Sequence, residues 1–234
     1  MNRLNNMGDQ AQKDFSAHMG MITENNDRGA YNQLVQQQKA GKISGNALIT
    51  EGYLRSEADL GATNRVTFDL VQNQGSAQNV TEKRLQISDC FVMTHLSLLL
   101  YTGSVDQIPT QEERASAQLF SFPSDRINGS GNINAVYNSF LQIRVNQTVF
   151  FDRYDTLNFL RVGTAQAGLV APAYTSSTWD TRYWAFAPIV PFITFGGQDS
   201  NDVSLNLPQG VDLSANFATA VFFARGLLVQ NAYN

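Results

Sequence analysis

The stretch FLQIRVNQTVFFDRYD, Phe140 to Asp155, decides the fold. Leu141, Ile143, Val145, Val149 and Phe151 share one parity, while Gln142, Arg144, Asn146 and Thr148 take the other. A period of two marks a strand with one buried and one wetted face. The same rhythm occurs upstream, where Val66, Phe68 and Leu70 alternate with Thr67 and Asp69. Downstream, Val203, Leu205 and Leu207 alternate with Ser204 and Asn206 until Pro208 ends the run. Val92 to Tyr101 and Ala220 to Val229 carry apolar residues at both parities, which predicts central strands covered on two sides. Something must therefore cover their second face. Residues 72–79, 124–134, 176–180 and 196–202 are rich in Gly, Asn, Ser and Asp and read as loops. About eight to ten strands, with no helix expected after residue 64, select an all-β sandwich or barrel over an α/β sheet.

The composition changes near residue 62, dividing the chain into an N-terminal, partly helical arm (1–61) and a β-sandwich domain (62–234). In the arm, Tyr31, Leu34 and Val35 have the i, i+3, i+4 spacing of one helical stripe, and Gly41 supplies a C-cap. Phe15, Met19 and Ile22 mark a weaker helical or irregular stretch. The piece from Ala47 to Leu60, around Leu48, Tyr53 and Leu54, is ambiguous. So narrow a stripe cannot fold alone. It packs either on its own domain or on a neighbouring subunit, and in the second case Tyr31, Leu34 and Val35 are the candidate oligomer contacts. The roughly 170 residues after the arm suit one eight-stranded jelly roll with long loops, the alternative being a minimal double jelly roll.

Charge is scarce. Asp, Glu, Lys and Arg make up 15% of the 234 residues, against about a quarter in an ordinary globular domain, while Asn numbers 21 and Gln 19. A net charge of −4 argues against coating a phosphate backbone. Residues 1–42 hold five basic and four acidic side chains, so the arm shows no direct nucleic-acid binding. The polar start is not that of a secretory signal, and no apolar run reaches the ~18 to 20 residues of a membrane span, which leaves room only for peripheral contact with an inner membrane. On that reading the sequons at Asn79, Asn128 and Asn146 are turn and strand residues rather than glycosylation sites.

Candidates for chemistry are few. A single cysteine, Cys90, precludes an intrachain disulfide, and His18 and His95 are the only histidines. Cys90 and His95 are five apart, so a continuous strand points them to opposite faces unless a bulge intervenes. Asp152 and Asp155 bring carboxylates near each other. Asp199 and Asp202 resemble the start of a calcium loop, but Val203 stands where a further oxygen ligand belongs. These are expected to be structural, with no catalytic residue, cofactor or metal indicated. The cluster APAYTSSTWDTRYWAF places Tyr174, Trp179, Tyr183 and Trp184 together, either packing a loop or stacking on sugar faces.

Lysine occurs four times and arginine twelve, and 25 residues are aromatic. A surface of amides, hydroxyls and aromatic rings can be buried against a neighbour without desolvating ions, and interfaces share this depletion in Lys and Glu. The order of elements, a polar arm followed by NRVTFDLV, KRLQISDCFVMTHLSLLLYTG, FLQIRVNQTVFFDRYDTLNFLRV, APIVPFITFGG, VSLNLP and TAVFFARGLLVQN, resembles a bacteriophage virion protein of the jelly-roll capsid kind. The resemblance covers residues 62 to 234 and carries no residue role with it. It implies a non-enzymatic shell subunit located in the virion, whose partners are copies of itself and other virion proteins. Its sandwich would form the wall and its arm would tie neighbours together. The alternative is a carbohydrate- or receptor-binding β-sandwich using the four aromatic residues above.

Overall fold

The computed structural model describes residues 25–72, 77–102, 110–112, 131–159, 186–213 and 218–233. A helix, α1, spans 25–39 and is followed by eight strands. These are β1 (Leu48–Asp59), β2 (Arg65–Phe68), β3 (Cys90–Thr102), β4 (Phe140–Val145), β5 (Thr148–Asp155), β6 (Ala187–Gly196), β7 (Asn201–Asn206) and β8 (Ala218–Gln230). They form two four-stranded antiparallel sheets, a first in the order β1-β8-β3-β6 and a second in the order β2-β7-β4-β5. The pairings are nested: β1 with β8, β2 with β7, β3 with β6 and β4 with β5. The strands thus run as one long ribbon doubled back at the β4–β5 turn, with β3·β8 and β4·β7 contacts closing the coils side by side.

The all-β expectation holds, and the alternation of parity settles which side faces in. Leu141, Ile143 and Val145 of β4, Val66 and Phe68 of β2, and Val203 and Leu205 of β7 are buried on one face. They meet Phe91, Met93, Leu96, Leu98 and Leu100 of β3, Phe222 and Ala224 of β8, and Ile193 and Phe195 of β6. Val149 departs from the expectation and stays about half exposed (49%). Register shifts at Ile143 break the β4–β5 ladder, and β5 is an edge strand, so parity along β5 no longer maps onto one face.

The ambiguous piece from Ala47 to Leu60 is neither helical nor irregular: it is β1, an edge strand of the first sheet lying inside the stretch assigned to the arm. Its pattern is faint because the positions sharing Leu54's parity include Gly52, Ser56 and Ala58, which carry little hydrophobic signal. Two 3-10 helices also occur where no helix is expected, Gly131–Asn138 and Thr156–Phe159. Tyr137 and Phe159 from these turns join the core.

A second, smaller apolar cluster lies on the outer face of the first sheet. There Ala30 and Leu34 of α1, with Ile43, cover Cys90 and Val92 of β3 and Leu227 and Val229 of β8. This supplies the cover that the two-sided apolar runs require at the Cys90–Val92 and Leu227–Val229 end. Leu34 is fully buried within its own chain, so the stripe packs on its own domain; Val35 is half-buried and Tyr31 remains 48% exposed. Gln38 ties the C-terminal end of α1 down, its side-chain amide donating to the carbonyls of Ser44 and Gly45, both at 3.1 Å. Among the described residues no helix is long and apolar enough to cross a membrane.

Candidate functional site

β3 has a bulge. Met93 lies opposite Gly226 and His95 opposite Arg225, so Thr94 is the extra residue. The bulge is what keeps the core apolar: without it, His95 and Ser97 would follow Met93 inward and Leu96, Leu98 and Leu100 would face out. Gly226 is needed at the same place, since a Cβ there would stand 1.9 Å from the Val92 carbonyl oxygen. The bulge is the exception to the rule that Cys90 and His95 point to opposite faces: it resets the parity, and both lie on the outer face. They still form no dyad: Cys90 lies within the apolar cluster under α1, where burial, reinforced by Asp89 and Asp199, pushes its thiol up to about 12. Such a thiol is no nucleophile at neutral pH.

His95 instead lines a cleft of about 240 Å³ between α1 and the first sheet, together with Asp27, Glu51, Gly52, Tyr53, Phe223, Arg225 and Gly226. Asp27 comes from the first turn of α1, Glu51 and Tyr53 from β1, and Phe223 and Arg225 from β8. The Thr94 hydroxyl is 2.7 Å from Asp27 Oδ1, 2.9 Å from His95 Nδ1 and 3.3 Å from the Arg225 carbonyl. It has one hydrogen, and the charged carboxylate at the shortest distance takes it. Nδ1 of His95 then carries a proton and donates to Thr94, giving the chain His95 to Thr94 to Asp27. The other ring nitrogen, Nε2, is buried with no hydrogen-bond partner among the described residues. Burial holds the His95 pKa below the ordinary histidine value; the Asp27 carboxylate opposes this and the Arg225 guanidinium adds to it. Tyr53 meets Phe223 edge-on at 5.4 Å, Phe223 meets Phe186 at 5.2 Å, and the Arg225 guanidinium lies 5.4 Å from the Phe186 ring.

Beside the cleft, residues 79–85 run along β1 and bury an ionic cluster. Arg84 grips Glu82 through 3.1 and 2.9 Å contacts, Glu82 accepts the backbone N–H of Glu57 at 2.8 Å, and Thr81 donates to Glu57 at 2.6 Å. In a chain so poor in charge, these groups close the β1 edge by satisfying one another.

The carboxylates weighed for acid–base or metal chemistry lie elsewhere, in structural positions. Asp155 caps the Thr156–Phe159 turn by accepting the Leu157 N–H at 2.8 Å, and Asp152 accepts from Gln142 at 3.2 Å. Asp202 holds Arg65 at 3.0 Å and Arg144 at 2.9 Å on the exposed face of the second sheet. Asp199 accepts from Asn146, whose positive φ of 55° turns the β4–β5 hairpin, and Asn201 caps the β6–β7 turn at the Gly196 carbonyl. No group of three or more His, Cys, Asp or Glu side chains suited to a metal occurs among the described residues. Tyr174, Trp179, Tyr183 and Trp184, like His18 and Asn128, lie outside the described residues.

The sequence reading singled out His95 but none of its partners. A signal was available: Arg225 is the only basic residue and His95 the only imidazole inside the two long apolar strands β8 and β3, and two such interruptions in central strands invite pairing. Comparison with protein-family models, curated proteins and solved structures finds no match for this chain.

Proposed function

We propose that the chain is a virion structural protein, a non-enzymatic capsid-shell subunit whose sandwich is a jelly roll. The observation that carries this reading is the strand order β1-β8-β3-β6 over β2-β7-β4-β5. Its four nested pairs (β1–β8, β2–β7, β3–β6 and β4–β5) join strand n to strand 9 − n, the arrangement produced by winding one doubled ribbon into two Greek keys. Among the described residues there is one such sandwich, which favours the single over the double jelly roll. The ion-poor composition supports burial against copies of itself and other virion proteins. With Leu34 engaged inside the chain and the β1 edge closed by residues 79–85, the half-exposed ring of Tyr31 and the other edge strands are left for neighbours. Light scattering on the purified chain across micromolar concentrations tests the reading: species larger than one chain are expected, and a monomer throughout would oppose it.

A second reading, a carbohydrate- or receptor-binding sandwich, draws support from the cleft. Tyr53 is 43% exposed there, and Asp27 and Glu51 offer carboxylates to hydroxyl groups. Glycan-array binding lost on Tyr53→Ala would favour it over shell formation.

A further inference from the structure

We propose that His95 is a pH-operated latch that keeps α1 docked on the first sheet near neutral pH and releases it in mild acid. The latch is built by the Thr94 bulge, which turns both Thr94 and His95 toward α1, and by Asp27, which joins the helix to Thr94 at 2.7 Å. In the docked state the neutral ring donates from Nδ1 into this chain, while the buried Nε2 has no acceptor for a proton among the described residues. A proton added at Nε2 would create a buried N–H⁺ with nothing to donate to, a costly state compared with the same ring in water.

The charged groups around the ring do not reverse this. From α1, Asp27 attracts the protonated ring at 3.8 Å. From β8, the cross-strand Arg225 repels it, and from β6 the cross-strand residue is the uncharged Pro188. Glu51 of β1 lines the mouth of the cleft and is exposed, so water weakens its pull. Burial outweighs the Asp27 attraction. The docked ring therefore resists a proton that the undocked ring accepts near the ordinary value of about 6.5. Docking is fully stabilised above that pH and loses stability as pH falls through it. Release would uncover Cys90, Val92, Leu227 and Val229, the apolar face under α1.

Cys90 is the natural reporter, being the only cysteine and buried in that cluster. Its reaction with 4,4′-dithiodipyridine, which reads thiols in acid, is measured in the full chain and normalised to the urea-unfolded chain at each pH. Protection is expected to fall by roughly tenfold or more between about pH 7.5 and about pH 5.5. In His95→Gln, which keeps hydrogen-bonding groups but does not titrate here, protection should no longer depend on pH. Equal protection of the wild type at both pH values, or an unchanged pH response in His95→Gln, would overturn the latch. Should His95→Gln fail to fold, amide exchange of the wild-type chain decides. Acid-induced loss of protection confined to 25–39, with β3 and β8 still protected, supports it; uniform loss, or none, contradicts it.

Discussion

The second sheet, β2-β7-β4-β5, buries one face and leaves the other to water, where Arg65, Arg144 and Asp202 form an exposed ionic cluster. The first sheet, β1-β8-β3-β6, is covered twice, by the core on its inner side and by α1 and Ile43 over part of its outer side. Its central strands, β3 and β8, are 13 residues each, against six for β4 and β7. Buried area follows coverage, so stability is concentrated in the first sheet and its bulged centre. On the second sheet's outer face the Arg65 and Arg144 side chains stay about half exposed.

That contrast can be broken hardest at Gly226. A Cβ at this position meets the Val92 backbone oxygen at 1.9 Å, and both atoms sit in paired central strands that cannot part cheaply. Gly226→Val is expected to lose upwards of about 4 kcal/mol, enough to unfold most domains, which urea denaturation or soluble yield would register. Next comes the outer layer: Leu34→Ala removes a fully buried side chain and should cost about 2 to 4 kcal/mol. If the layers are distinct, amide exchange in that variant should rise first in α1 and leave β4 and β7 unchanged.

On the wet sheet the effects shrink. Asp202→Asn weakens two ion pairs whose arginine side chains are 50% and 51% exposed, so the loss should stay under about 1 kcal/mol and vanish in high salt. Smallest of all, Val149→Ala on the exposed edge should lie within about 0.5 kcal/mol of the parent in the same urea titration. A large effect at either position would mean that the second sheet's outer side is covered after all.

The same division explains what the sequence made legible. A strand wetted on one side writes its orientation as a period of two, and the three clearest runs, around Val66, Leu141 and Val203, all belong to the second sheet. Strands covered on both sides write only that they are buried. From Val92 to Tyr101 and Ala220 to Val229 it followed that a cover must exist, but not that α1 provides it. β1 stayed ambiguous because Gly52, Ser56 and Ala58 give no apolar contrast. The bulge at Thr94 was invisible because nothing local marks it. Its cause is non-local, the need to send His95 outward and Leu96 inward against a glycine more than a hundred residues away. The cleft inherits that difficulty, since Asp27, Glu51, His95 and Arg225 come from four different elements.

Whether the sandwich is a wall unit is read most directly by electron microscopy of the concentrated, purified chain. The account predicts closed rings, sheets or shells in which sandwiches repeat side by side through their ion-poor flanks. A field of isolated single-sandwich particles at every concentration would contradict it.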